Sequence, residues 1–136
     1  MILKYQKIID DYTTRTLIEP HYQEDAQRIT ELCTIGDDTY VHVPDSMVLP
    51  EQPFDMDVTM ESIVLTDEMR AEISAVSPHM RLINTRVVEK IRKKYSENDE
   101  MKMLRQLAQG AECQEYIEHI ESCRAWGRTE KEKIGL

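Results

Sequence analysis

The sequence predicts a mainly α protein of the α+β class, with an N-terminal β-hairpin, a proline-containing extended strap and three to four C-terminal helices. Three observations predict this class. Two β-branched runs flank a Gly/Asp turn within residues 28–43, three prolines lie within residues 44–58, and capping residues with apolar stripes at helical spacing follow. In a chain of 136 residues, we therefore expect an arm and hairpin at 1–43, the strap at 44–58 and a helical unit at 59–136.

Residues 1–25 carry two conflicting signals. Six apolar residues between Ile2 and Tyr12 recur near helical spacing, whereas residues 13–18 are rich in β-branched side chains. Pro20 ends either kind of element, because proline has no N–H to donate. A short helix and an extended arm are both consistent with this segment.

The hairpin is predicted from residues 28–35 and 39–43, which are separated by the turn-forming residues Gly36, Asp37 and Asp38. The second run alternates, with β-branched side chains on one face and Tyr40 and His42 on the other. Because both faces carry bulky side chains, we expect both faces of this strand to be covered.

Residues 44–58, the strap, combine proline with apolar and acidic side chains. Proline fixes φ and removes hydrogen-bond donors, which favours an extended, polyproline-like chain. A flexible linker would not carry six apolar residues, so we expect the strap to dock on a surface. Val48, Leu49 and Phe54 are the side chains that we expect to bury against another subunit or protein. The apolar residues are Met47, Val48, Leu49, Phe54, Met56 and Val58, and the acids are Asp45, Glu51, Asp55 and Asp57.

Helix signals begin at Thr66, an N-cap candidate that Asp67 and Glu68 follow. That helix is expected to reach Val76, and a new helix starts at Pro78, because proline is well suited to the first helical position. The apolar stripe of this second helix extends to Tyr95. Its members are Met80, Ile83, Val87, Ile91 and Tyr95.

Two further helices are predicted after Ser96, which begins a capping-box pattern with Asp99. The first of them ends at Gly110, a typical residue just beyond a helix C-terminus. The last helix is expected from Ala111 to about Gly127, and the charged tail up to residue 136 is expected to fray.

Cys113, His119 and Cys123 suggest a metal site. His119 and Cys123 are four residues apart and share a helix face, but the sequence has no close cysteine pair of the kind that structural zinc sites usually contain. Cys113 and Cys123 also fall in the apolar stripe of the last helix, and free cysteine is among the most buried residue types. We therefore expect both thiols in the core, with no bound metal and no cofactor.

Catalytic signatures are weak. Adjacent acids such as Asp37/Asp38 and Asp55/Asp57 are typical of solvated turns and helix starts, and the acidic N-terminal half supplies such pairs by chance. Four glycines build no phosphate-binding loop. The sequence thus predicts a protein without catalytic residues and without enzymatic activity.

Charge and hydropathy exclude two classes of partner. A formal net charge of −9 argues against nucleic-acid binding, which needs a basic surface. The one basic run, residues 90–94, suits the negative end of a helix dipole. The longest apolar runs are too short to cross a bilayer, so no membrane partner is expected.

Trp126 is the only tryptophan and lies between Arg124 and Arg128 at a predicted helix end. A tryptophan in this position either closes a core or anchors an interface. Both readings stay open, and Trp126 joins the strap residues as a candidate for partner binding.

Parts of the C-terminal half resemble small uncharacterised proteins encoded in the tail-structure region of tailed bacteriophages and prophages. The similarity follows the order of segments over residues 28–136 and is strongest over 78–105 and 116–136. It is carried by Pro78-His79-Met80-Arg81-Leu82-Ile83-Asn84, by residues 91–100 (IRKKYSENDE), and by residues 123–128 (CRAWGR) with 133–136 (KIGL). The resemblance implies a role in the virion or its assembly, in the tail or baseplate, and it assigns no functional residue.

The expected function is therefore that of a non-enzymatic structural component of a phage tail or baseplate. It would act through protein–protein contacts with other tail proteins, in multiple copies, after synthesis in the cytoplasm of the bacterial host. Two alternatives stay open. One is a tail assembly chaperone that is absent from the virion, and the other is a small metal-dependent or hydrolytic enzyme.

Overall fold

A computed structural model describes residues 1–21 and 28–136. The described chain forms two compact units. The first unit holds residues 1–78 and 134–136, and the second unit holds residues 79–133. The division therefore follows Pro78, whereas the sequence prediction began a helical unit at residue 59.

The first unit contains a four-stranded antiparallel sheet in the order β2-β3-β1-β4. β2 and β3 form the predicted hairpin, with Gly36 at a φ of 61° in the turn between them. Together with the helices described below, this sheet confirms the mixed α+β class, mainly α. The strands are β1 (Ile2–Tyr5), β2 (Thr30–Ile35), β3 (Asp38–His42) and β4 (Glu61–Ile63).

Of the two conformations predicted for the N-terminal segment, the helix is wrong and the extended chain is present, although within a sheet. β1 is an inner strand that pairs with β3 on one side and with β4 on the other. Its apolar side chains Ile2, Leu3 and Tyr5 are all buried. Long-range pairing with strands some 40 and 60 residues away decides this structure, and local periodicity does not report such pairing. Residues 22–25 of the predicted arm lie outside the described residues.

Alternation along the strands sends apolar side chains to both faces of the sheet, as expected from the hairpin sequence. One face holds Leu3 and Tyr5, and the other holds Ile2. Helix α2 (Asp67–Val76) covers the Ile2 face with its buried Ile73. The first core cluster comprises Leu3, Tyr5, Val41, Val43 and Met56, and the second comprises Ile2, Leu32, Cys33 and Ile73.

The strap is not extended throughout. A turn closes from Met47 N–H to the Pro44 carbonyl at 3.0 Å, and residues 54–57 form the one-turn helix α1 (Phe54–Asp57). Pro53 precedes this helix, so its missing N–H costs no helical hydrogen bond. Met56, which we expected along an extended chain, is fully buried from α1 in the first core cluster.

The prediction that the C-terminal residues fray is wrong. Ile134 and Leu136 pack against the second core cluster of the first unit. The guanidinium of Arg70 donates to the backbone carbonyls of Gly135 and Leu136 at 3.3 and 3.2 Å. Gly135 has a φ of 80°, and a side chain there would lie 2.9 Å from Ile2. Glycine is therefore the residue that fits this position.

The second unit consists of helices α3 (Pro78–Arg92), α4 (Glu97–Ala108) and α5 (Gln114–Lys133). With α2, they make four C-terminal helices, within the three to four predicted. The caps at Thr66 and Ser96 are confirmed, and the Ser96–Asp99 capping box has both of its hydrogen bonds. Among the described residues, no helix combines the length and the apolar character that crossing a bilayer requires.

Gly127 does not end the last helix, contrary to prediction. It is a buried residue inside α5, and a Cβ atom at this position would lie 2.6 Å from a methyl carbon of Val87 in α3. The glycine thus allows α3 and α5 to approach closely. A glycine that serves packing looks the same in sequence as one that stops a helix.

Candidate partner-binding surfaces

Alternate side chains fasten the strap to the first unit. Met47, Leu49 and Met56 pack into or against the first core cluster. The side chain of Gln52 accepts a hydrogen bond from the Ile18 N–H at 2.8 Å and donates to the Ile18 carbonyl at 2.9 Å. These two hydrogen bonds join the strap to the segment around Ile18, and their pattern resembles that between paired β-strands. The strap is therefore held in place by its own chain.

The other apolar side chains of the strap lie in solvent. Phe54 is 83% exposed and Val48 is 86% exposed, which is far from the usual burial of large apolar groups. Val58 follows Phe54 by four residues, and its N–H donates to the Phe54 carbonyl at 3.1 Å. Residues at this spacing share one face of a helical turn, so Phe54 and Val58 form a small exposed apolar face.

Of the three strap residues predicted to bind a partner, the structure leaves Val48 and Phe54 available. Leu49 is half-buried against the first core cluster and therefore contributes to the stability of its own unit. The sequence could not separate these roles, because Val48 and Leu49 are adjacent and equally apolar. Adjacent side chains of an extended chain point to opposite sides, and apolar residues at both positions leave open which side faces the core.

The carboxylates of the strap differ in whether they form ion pairs with the described residues. Asp45 contacts the N-terminal ammonium at 2.9 Å, and Asp55 contacts Arg15 at 3.1 Å. Hydrogen bonding by the N-terminal ammonium lowers the pKa of Asp45. Glu51 and Asp57 are exposed and have no ion-pair partner in the described part of the chain. These two acids flank Phe54 and are available to a partner.

Trp126 lies in a basic depression of the second unit, between α3 and α5. The Nζ atom of Lys90 is 4.6 Å from the centre of the indole ring, a cation–π contact. Two cavities, of about 340 and 210 Å³, share Lys90, Lys93 and Trp126. We call this depression the Trp126 groove. Its further lining residues are Arg86, Glu89, His119, Ser122 and Cys123.

His119 and Cys123 lie together at this groove, with Nε2 of His119 3.6 Å from Sγ of Cys123. The same Nε2 is 3.2 Å from the carbonyl oxygen of Lys90. A carbonyl oxygen only accepts, so this bond requires hydrogen on Nε2, and a protonated Nε2 cannot take the thiol proton. His119 thus satisfies a carbonyl that is left free in the last turn of α3. This geometry favours a structural pair over a nucleophile and its base.

Cys113 does not join His119 and Cys123. Its Sγ lies near the Met103 carbonyl at 4.0 Å and the Gln106 side-chain oxygen at 3.7 Å. Cys113 is half-buried, whereas Cys123 is buried as expected for a core thiol. Over residues 1–21 and 28–136, no group of three or more His, Cys, Asp or Glu side chains is arranged to hold a metal ion.

A polar cluster that sequence reasoning missed ties the three helices of the second unit together. Glu100 on α4 contacts Arg92 on α3 and accepts a hydrogen bond of 2.9 Å from the hydroxyl of Tyr116 on α5. The bond from Arg92 lowers the pKa of Glu100 and raises that of Arg92. Burial raises the pKa of Tyr116, whose ring packs edge-on against Tyr95 at 5.1 Å. These residues are too far apart in sequence for any helical spacing to link them.

No protein-family model, curated protein or solved structure matches this chain.

Proposed function

We propose that this protein is a non-enzymatic structural component of a phage tail or baseplate, which works through protein–protein contacts. One observation carries the contact function. The strap is bound to its own core through Leu49 and Met56, yet it presents Val48 and Phe54 to solvent. Phe54 lies beside Val58, which is 62% exposed, and adjoining exposed apolar side chains of this kind are typical of interaction sites.

The anchoring of the strap makes these side chains effective for binding. Full burial of a phenylalanine side chain contributes about 1.5–3 kcal/mol. In a mobile segment, part of this gain would be offset by the entropy lost on ordering, at about 1–2 kcal/mol per residue. Because Gln52 and the buried Met56 already fix the backbone on each side of Phe54, docking would lose little of that entropy.

The tail assignment is supported by the resemblance of residues 78–105 and 116–136 to small proteins of phage tail regions. On this proposal the chain is made in the cytoplasm of the bacterial host and is then incorporated into the virion. Its partners are other tail proteins. The Cys123–His119 pair fits a structural role, because Nε2 of His119 is engaged by the Lys90 carbonyl at 3.2 Å.

The test is mass spectrometry of virions purified from the phage that encodes the chain, with wild-type protein and with Phe54→Ala. We expect the wild-type chain in the particles and a reduced amount of the variant. Tyr12→Ala is the matched control, because Tyr12 is a 98% exposed aromatic residue of the same unit outside the strap. Far-UV circular dichroism should be unchanged for both variants, since neither side chain packs in the core.

Three outcomes would contradict the proposal or its contact surface. If tails form only when the chain is present but purified virions lack it, the protein is an assembly chaperone. If the chain is absent from virions and tails form without it, the protein has no tail function. If Phe54→Ala and Tyr12→Ala are incorporated equally well, the strap is not the contact surface.

A further inference from the structure

The two units differ strongly in charge. Residues 1–78 and 134–136 hold five basic and sixteen acidic residues, which gives the first unit a formal charge of −11. Residues 79–133 hold twelve basic and ten acidic residues, which gives the second unit a charge of +2. Acidic and basic surfaces on one chain allow attraction between copies that carry the same sequence.

The charges that remain unpaired are concentrated in two places. On the strap, Glu51 and Asp57 are exposed beside Phe54 and have no ion-pair partner among the described residues. At the Trp126 groove, Arg86 and Lys93 are exposed and are likewise unpaired in the described part of the chain. Lys90 lies over the indole, and Glu89 is the one carboxylate among the lining residues of the groove.

The chemistry of the two surfaces also corresponds. The larger cavity of the groove, about 340 Å³, lies at the lower end of the range for pockets that enclose small organic groups. It offers an indole ring, one face of which is near the Lys90 ammonium. An aromatic side chain flanked by carboxylates suits such a site, because the ring stacks or packs on the indole while the acids meet the surrounding cations. Phe54 on its anchored turn has this chemistry.

We infer that the strap of one copy docks in the Trp126 groove of a second copy, with Phe54 against Trp126 and Asp57 facing Lys93. This inference rests on the proposed function and names a partner for it, namely the chain itself. The interface is heterologous, because the two contacting surfaces are different. Each bound copy therefore leaves one free strap and one free groove, and repetition yields a ring or an open row of copies.

The experiment measures self-association of the full chain by sedimentation velocity and by emission of the single tryptophan. We expect wild-type protein to associate with rising concentration, and Trp126 emission to shift to shorter wavelength as water leaves the groove. Association should weaken between about 0.1 and 1 M salt, where the screening length falls from about 10 to 3 Å.

Two single variants locate the interface. Phe54→Ala removes the anchor, Lys93→Glu reverses a groove charge, and each should weaken association by at least about tenfold. Both side chains are exposed, so folding should be unaffected. Tyr12→Ala and Lys102→Glu are matched controls on exposed residues away from the strap and the groove, and both should associate like wild type.

Mixing the two variants gives the decisive result. Phe54→Ala keeps an intact groove and Lys93→Glu keeps an intact strap. At a concentration where each variant alone is monomeric, the mixture should therefore form a complex limited to two chains. Asp57→Lys in the Lys93→Glu background should restore part of the lost association, since it renews the opposite-charge pair.

The inference is overturned if the wild-type chain is monomeric up to its highest soluble concentration. It is also overturned if both variants associate like wild type, or if their mixture forms no two-chain complex. A chain that is found in virions but never self-associates refutes this inference and leaves the proposed function standing. A chain that self-associates but is absent from virions refutes the proposed function instead.

Discussion

Gly127→Ala is expected to destabilise the second unit, although alanine is the better helix former. The substitution places a Cβ atom 2.6 Å from a methyl carbon of Val87, whereas carbon atoms prefer separations of about 3.5–4.0 Å. Val87 is β-branched and lies within α3, so its χ1 angle has essentially one favourable setting. The side chain cannot rotate away, and relief requires a shift of α3 against α5.

Two opposing effects decide how much Gly127→Ala changes the free energy of unfolding. Replacing glycine by alanine inside a helix contributes about 1 kcal/mol of stability, whereas overpacking of a close contact costs about 1–3 kcal/mol. We expect a net loss of about 1 kcal/mol in the free energy of unfolding. In a Val87→Ala background the clashing methyl group is absent, so Gly127→Ala should instead stabilise by about 1 kcal/mol. The coupling energy between the two sites is then about 2 kcal/mol.

The measurement is urea unfolding followed by the fluorescence of Trp126, which lies in the same unit and therefore reports its unfolding. Ala125→Gly provides the matched control, because Ala125 is an exposed position of the same helix and calibrates the local cost of glycine. If Gly127→Ala stabilises the wild-type background as much as the Val87→Ala background, the two helices do not meet closely and the reasoning is refuted.

The remaining predictions concern acid stability and thiol reactivity in the described residues. Because Arg92 and Tyr116 lower the pKa of Glu100 from its ordinary value of 4.5, the folded state gains stability from this carboxylate above that value. This gain is lost as the pH falls through the folded pKa of Glu100. The free energy of unfolding of Glu100→Gln should therefore depend less on pH than that of wild type below about pH 5. In native protein, half-buried Cys113 should react with iodoacetamide before buried Cys123; equal rates in mass spectra would contradict the burial pattern.

Features set by neighbours in sequence were predictable. The Gly36 turn places two β-rich runs side by side, and the caps at Thr66 and Ser96 satisfy N–H groups within the next few residues. Each of these signals is contained in a short window. The hairpin, the four C-terminal helices and the mixed fold class could therefore be predicted before any tertiary contact was known.

Features set by distant residues were not predictable. β1 is a strand because β3 and β4 supply partners on both sides, and residues 134–136 are ordered because Arg70 and the sheet receive them. In both cases the local sequence is compatible with several conformations, and burial of apolar area selects one. Gly127 was misread for the same reason, since its partner Val87 lies 40 residues earlier.

The candidate binding surfaces also depend on contacts between distant residues, which the sequence does not reveal. Composition drew attention to the strap, because prolines and apolar groups together are unusual in a linker. It could not divide the strap into Leu49 and Met56, which stabilise its own unit, and Val48 and Phe54, which remain exposed. That division matters because only an anchored strap can offer Phe54 at little entropic cost. The binding proposal therefore depends as much on the buried residues of the strap as on the exposed ones, and Met56→Ala should weaken docking by loosening the support for Phe54.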